Sequence, residues 1–261
     1  MKFLDAWSFL TIIPLLRRRE AGPEEVGHSL GYFPAVGLVI GLILAGLNWL
    51  LVLFLPPAIV NALLLVALVV ITGALHLDGS SDTCDGIAAH KTVEDRWRVM
   101  RDSHVGAFGV VGIVLLLLVQ YASLNSVPPS LLPATLVLMP VVSRWAMVYA
   151  VFAYPYARPA GLGKVFKQGA SWSSLALATL VTMVVAIIWA RVANFNFFYL
   201  VGLAIIVIIW VIVVAVATFL QRKFAGLTGD TYGAINELAE VCVLILVALL
   251  AYNSWFNYFQ E

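Results

Sequence analysis

The sequence predicts an all-α protein built as a polytopic bundle of about seven membrane-spanning helices, and three observations predict it. Of its 261 residues, 62% are hydrophobic and 11% charged, with a mean hydropathy of +1.00. A water-soluble domain carries about 25% charged residues to cover its surface, so this chain has too few. Seven apolar runs approach the roughly 20 residues needed to cross a bilayer. The gaps between those runs hold nearly all the acids and bases, and they alternate sharply in charge.

Taken in order, the segment from Met1 to Glu20 is apolar, is interrupted by Asp5 and ends in Arg17, Arg18 and Arg19. It lacks a small-residue cleavage site and does not read as a signal peptide. It reads as a short helix at the interface or half-buried, held on its own side by the arginines. The spans follow at about 32–55, 58–75, 106–123, 131–153, 173–190, 196–219 and 235–252. No repeat or low-complexity tract divides them, so residues 1–261 are expected to form one integral membrane domain.

Orientation follows from the positive residues, which are retained in the cytoplasm. Thirteen of the fifteen Lys and Arg precede span one or lie between spans two and three, four and five, or six and seven. Only Arg191 falls on the other side, and Arg144 sits inside span four, where it is expected to face the bundle interior. The N-terminus is therefore expected in the cytoplasm. The same topology places all four histidines, and every acid except Glu261, on that face. A channel or transporter would keep ionisable groups along a path through the membrane, whereas here they collect on one side.

The net charge of +1 gives no sign of a nucleic-acid partner, because the basic residues are balanced by acids and sit in short clusters rather than a stripe, and that reading is dropped. Two cysteines, Cys84 and Cys242, supply neither a disulfide framework nor a zinc site.

The densest polar stretch runs from His76 to Gly86 after span two. Asp78, Asp82 and Asp85 stand at i, i+4 and i+7, which on a helix places the three carboxylates within about 40° of rotation. Unpaired like charges this close either raise one another's pKa or require a cation. Hard oxygen ligands with open positions suit Mg²⁺ or Mn²⁺, completed by substrate phosphates. The plainer alternative is a solvated loop in which Asp78 caps a helix.

Next come Arg101, Asp102 and His104 before span three. Asp102 or Ser103 can cap that span. Alternatively Arg101 clamps a phosphate while Asp102 or His104 adds a ligand or a general base. In the third loop Arg158 and Lys164 stand among glycines; the spacing fails as a phosphate loop, and anchoring to the cytoplasmic side explains the pair nearly as well as phosphate contact. The fourth loop carries Asp230 and leads to Glu237 and Glu240, which share a helix face. Acids suit a first helical turn, but Glu240 lies deeper and needs a partner, a cation or Arg144.

In series, these loops resemble the cobalamin synthase family, the adenosylcobinamide-GDP ribazoletransferases. The resemblance covers nearly the whole chain. It rests on Phe9 to Pro14, Tyr32 to Gly37, Gly73 to Gly79, Asp82, Asp85-Gly86, Met100 to Ser103, Gly106 to Gly109, Tyr156 to Pro159, Gly161 to Gly163, Thr228 to Asp230, Gly233-Ala234 and Glu237. Ser80-Ser81 and His104 depart from the family pattern beside the carboxylates. The family implies transfer of adenosylcobinamide phosphate from its GDP-linked form to α-ribazole or its 5′-phosphate, with loss of GMP and assistance by Mg²⁺. It implies an enzyme of the inner membrane acting in the last steps of vitamin B12 synthesis, with its site facing the cytoplasm.

On that reading Asp82 and Asp85 hold the metal and Asp78 supports them. Asp102 or His76 is the base. Arg101, His104, Arg158, Lys164, Asp230 and Glu237 bind substrate. The substrates and the lipid bilayer are the expected partners, with homo-oligomerisation left open. Residues 82–89 also resemble the first half of the CDP-alcohol phosphotransferase motif, so an enzyme of that kind is the alternative, followed by a transporter. A structural membrane protein would need neither the carboxylate trio nor a divalent cation.

Overall fold

The computed structural model describes residues 2–14, 23–89, 92–195 and 197–258. The expected arginine anchor at residues 17–19, together with Lys91 and Glu261, lies outside the described residues. The helices are α1 (Lys2–Leu10), α2 (Pro23–Gly27), α3 (Phe33–Leu51), α4 (Pro57–Ile71), α5 (Leu75–Ala88), α6 (Val93–Val99), α7 (Ala107–Ser126), α8 (Leu132–Ala153), α9 (Leu162–Gly169), α10 (Trp172–Val192), α11 (Phe198–Phe224) and α12 (Gly229–Tyr258). Among the described residues the only extended pairing is a single bridge between Tyr156 and Leu227.

Their ends follow local chemistry. Pro57 opens α4, where its missing N–H costs nothing. Thr92 and Ser171 accept the Asp95 and Ser174 backbone N–H groups and cap α6 and α10. Thr228 and Thr231 form a reciprocal box at the start of α12: the Thr228 N–H donates to Thr231 Oγ1 at 2.8 Å, and the Thr231 N–H donates to Thr228 Oγ1 at 3.3 Å.

Among the described residues six helices are long and apolar enough to cross a membrane, or seven spans if α4 and α5 are taken as one bent crossing. The expected second span, 58–75, falls on α4 and the turn that follows it. At 15 residues α4 is only about 22 Å long, short of a hydrocarbon core of about 30 Å. Gly73 and Ala74 both adopt positive φ, and the chain turns by 89° into α5. The Ile12 N–H donates to the Ile71 carbonyl at 2.9 Å, so the N-terminal segment closes the end of α4.

The long, mostly buried α8 forms the axis, packing on α3, α10, α11 and α12. Gly37 and Gly41 of α3 lie directly on the α8 backbone at Pro140 and Val137, leaving no space for a Cβ. Association of this kind in lipid is driven by close packing of small residues. As expected, Arg144 of α8 faces inward: it is wholly buried and pairs with Glu240 of α12. Gln120, Ser143 and Asn236 also donate to the Glu240 carboxylate, at 3.1, 3.3 and 3.3 Å.

Candidate active site

The acid-bearing helix α5 is wedged between α7 and α12. Two glycines set its separation from α12. A Cβ on Gly79 would stand 2.8 Å from the Asp230 carbonyl oxygen, and one on Gly233 would stand 3.0 Å from that of His76. Such distances force a side chain to displace backbone, so only glycine permits this approach. The approach carries Asp78 and Asp82 of α5 to Asp230 at the start of α12, with the three carboxylates within electrostatic range of one another.

A positive group answers them. Arg158 Nη2 lies 2.7 Å from Asp230 Oδ2, both side chains being largely buried. Arg158 is delivered by the loop after α8, which is stitched to the loop before α12. There the Ala157 N–H donates to Leu227 O and the Leu227 N–H to Pro155 O, each at 2.8 Å. Buried Arg158 Nε has no hydrogen-bond acceptor among the described residues, which leaves it a donor available to a ligand. Tyr156 and Tyr232 stack beside it, 6.3 Å between ring centroids. Burial pushes the Tyr156 phenol above its ordinary pKa despite the opposing charge of Arg158, so it stays a protonated donor.

These groups border a cavity of about 570 Å³, lined by His76, Asp78, Arg101, Arg158 and Asp230 among others. Five of the eleven residues expected to serve the site therefore converge. His76 is buried, and its Nε2 has no hydrogen-bond partner among the described residues. Asp82 lies one turn along α5 from Asp78, half-buried, within the field of Asp78, Asp230 and Arg158.

The other five are placed elsewhere. Asp85 Oδ2 accepts the Gly106 N–H and Oδ1 the Gly109 N–H, both at 2.8 Å. It thus closes the N-terminus of α7, where backbone donors are otherwise unsatisfied. That task was expected of Asp102 or Ser103, and the structure corrects the expectation: the N-cap position is Gly106, without a side-chain cap of its own. Asp102 is exposed and binds the His104 N–H at 3.0 Å and His104 Nδ1 at 2.7 Å. These bonds, the backbone one first, hold its pKa below the ordinary carboxylate value. Exposed Lys164 donates to Pro159 O at 2.6 Å, and Glu237 is enclosed beside Glu240 and Arg144. Among the described residues no three His, Cys, Asp or Glu side chains are grouped closely enough to hold an ion by themselves.

The spacing of residues did not point to Tyr156, Tyr232 or the aromatic trio Phe9, Phe33 and Phe166, all of which line the cavity. Each belongs to an apolar or loop segment whose inward face depends on the tertiary fold.

A helical bundle of membrane-spanning length, holding carboxylates and arginines in one recess, defines a polytopic membrane protein with an acid-and-arginine site. The chain belongs to the cobalamin-5-phosphate synthase family, whose model matches residues 2–248. Its relatives include the adenosylcobinamide-GDP ribazoletransferase of Geotalea daltonii, 39% identical over 95% of this chain and 97% of its own length. The enzymes of the same name from Desulforamulus reducens and Syntrophobacter fumaroxidans are each 37% identical, over 94% and 95% of this chain and 94% and 98% of their own lengths. No solved structure matches the chain.

Proposed function

We propose that the chain is an adenosylcobinamide-GDP ribazoletransferase of the inner membrane, working from the cavity between α5 and α12. The observation that carries the assignment to this cavity is the pairing of carboxylates from two helices with arginines from two loops around one recess. A ribose hydroxyl of α-ribazole or its 5′-phosphate attacks the phosphorus nearer the corrinoid. The bond from that phosphorus to the bridging oxygen breaks, and GMP leaves with the electron pair.

Arg158 and Arg101 bind the diphosphate and oppose its growing negative charge. Asp230 orients the Arg158 guanidinium through the 2.7 Å contact. His76 takes the hydroxyl proton; it lines the cavity, whereas Asp102 is exposed, is not among the lining residues and is already engaged by His104. Asp102 and His104 then shape the turn before α7.

The donor chemistry suits Mg²⁺, because hard carboxylates from α5 and α12 leave positions for substrate phosphates and water, which would complete a shell that these side chains, not grouped closely enough by themselves, leave open. Asp78 and Asp82, with Asp230, would hold the ion, which when bound supplies positive charge across the diphosphate. Asp85 serves instead as the buried cap of α7. The distribution of Lys and Arg supports a cytoplasmic N-terminus and a site on the cytoplasmic face.

The test is GMP release by purified, detergent-solubilised protein given adenosylcobinamide-GDP and α-ribazole, with corrinoid product followed in parallel. Metal-dependent, stoichiometric formation of GMP and cobalamin is expected. Folded protein that forms neither product would refute the assignment.

A further inference from the structure

Part of the cavity wall is aromatic and carries no charge. Phe9 from α1, Phe33 from α3 and Phe166 from α9 pack on one another, with ring centroids 5.8 Å apart for Phe9 and Phe33, 4.6 Å for Phe9 and Phe166, and 5.3 Å for Phe33 and Phe166. All three line the same cavity as Asp78 and Arg158. Phe33 and Phe166 are buried, while Phe9 remains partly accessible and presents the ring surface a ligand can reach. Three separate elements thus converge to place an apolar, π-rich wall beside a charged one.

We propose that this trio is the binding subsite for the heteroaromatic base of the acceptor nucleoside, with Phe9 as the residue that reads it. The inference rests on the transfer reading above and deepens it. Size accommodates the acceptor: about 570 Å³ suits a molecule of drug-like dimensions beside the donor's diphosphate, whereas the far larger corrinoid macrocycle must lie outside it. Chemistry selects among bases. A guanine presents an edge of donors and acceptors that would be stranded against three phenyl rings, a costly mismatch. The dimethylbenzimidazole of α-ribazole has a flat face, two methyl groups and no exocyclic polar group, and rings of this kind stack favourably on aromatic side chains. With the base on the Phe wall, the ribose hydroxyls are directed toward the charged wall, where the reaction takes place.

The test separates binding from turnover. Binding of α-ribazole to solubilised protein without donor is measured by calorimetric titration for wild type, Phe9→Ala, Phe9→Leu and Phe166→Leu, each checked for wild-type elution and thermal unfolding. Loss of the Phe9 ring is expected to weaken α-ribazole about tenfold, with Phe9→Leu intermediate. In turnover, Phe9→Ala should raise the KM for α-ribazole by the same factor and leave the KM for adenosylcobinamide-GDP unchanged. Free 5,6-dimethylbenzimidazole should compete with α-ribazole and weaken in parallel. Unchanged acceptor binding in a folded Phe9→Ala variant, or a rise in the donor KM instead, would overturn the subsite. A wild type that binds α-ribazole but does not turn over would count against the reaction and leave the subsite standing.

Discussion

Replacing Glu240 by alanine should destabilise the bundle severely, and the size of the effect can be worked from its partners. The Glu240 carboxylate pairs with the wholly buried Arg144 and accepts from Gln120, Ser143 and Asn236. Side-chain hydrogen bonds inside membrane bundles contribute about 0.6 kcal/mol each on average, so three of them account for about 2 kcal/mol. The stranded charge outweighs them. Removing one partner of a buried ion pair costs about 3–5 kcal/mol because the other charge is left uncompensated, and Arg144 Nε already has no acceptor among the described residues. In a chain of this size each kcal/mol moves the midpoint by about 2–4 °C, so Glu240→Ala should lower the apparent Tm in detergent by at least about 6 °C. Arg144→Leu with Glu240→Leu removes both charges and should recover most of that loss. A single variant within about 2 °C of wild type, or a double variant less stable than Glu240→Ala, would refute the reasoning.

Four further outcomes are expected. Asp85→Ala should lower the apparent Tm by several degrees through loss of the α7 cap, about 1–2 kcal/mol, while the Mg²⁺ concentration for half-maximal activity stays as in wild type; titration of metal against rate checks this. Gly79→Leu should separate α5 from α12 and lower kcat at least about 100-fold, as expected when reacting groups shift by about 1 Å, measurable by GMP release in variants that still elute as wild type. Arg158→Lys should raise the KM for adenosylcobinamide-GDP about tenfold or more, since an ammonium cannot reproduce the guanidinium fork; equilibrium binding of the donor separates affinity from rate. For Asp102, the lowered pKa means that its contribution to the turn is complete above the ordinary carboxylate range and is lost as pH falls through the lowered value. The shape of the pH–rate profile between pH 6 and 8 should therefore be unchanged by Asp102→Asn, which titrates nowhere in that range, whereas His76→Gln should lower kcat/KM throughout it.

Much of this was legible in the residues. Apolar runs marked the long helices because the bilayer imposes their length and composition. Arg144 was readable as inward-facing, and Glu240 as in need of a partner, since a charge at that depth requires one. The break at Gly73 and Ala74 was not, because two consecutive positive φ values depend on how Ile12 packs over the turn. Spacing placed Asp78, Asp82 and Asp85 on one face. It could not show that α7 would bring two backbone N–H groups to Asp85, or that Gly79 and Gly233 would bring Asp230 to the other two. Phe9, Phe33 and Phe166 are distant in sequence, and their convergence belongs to the tertiary fold.

The measurement that most directly tests the cavity as the site of transfer is single-turnover formation of cobalamin by Asp78→Asn and Asp82→Asn beside Asp85→Asn, at saturating Mg²⁺, in variants with wild-type elution profiles. The first two substitutions should each lower the rate by about 100-fold or more, as loss of charge stabilisation at a transferring phosphoryl group does, and Asp85→Asn should remain within about threefold of wild type. Wild-type rates for Asp78→Asn and Asp82→Asn, with the loss falling on Asp85→Asn, would contradict the placement of the chemistry between α5 and α12.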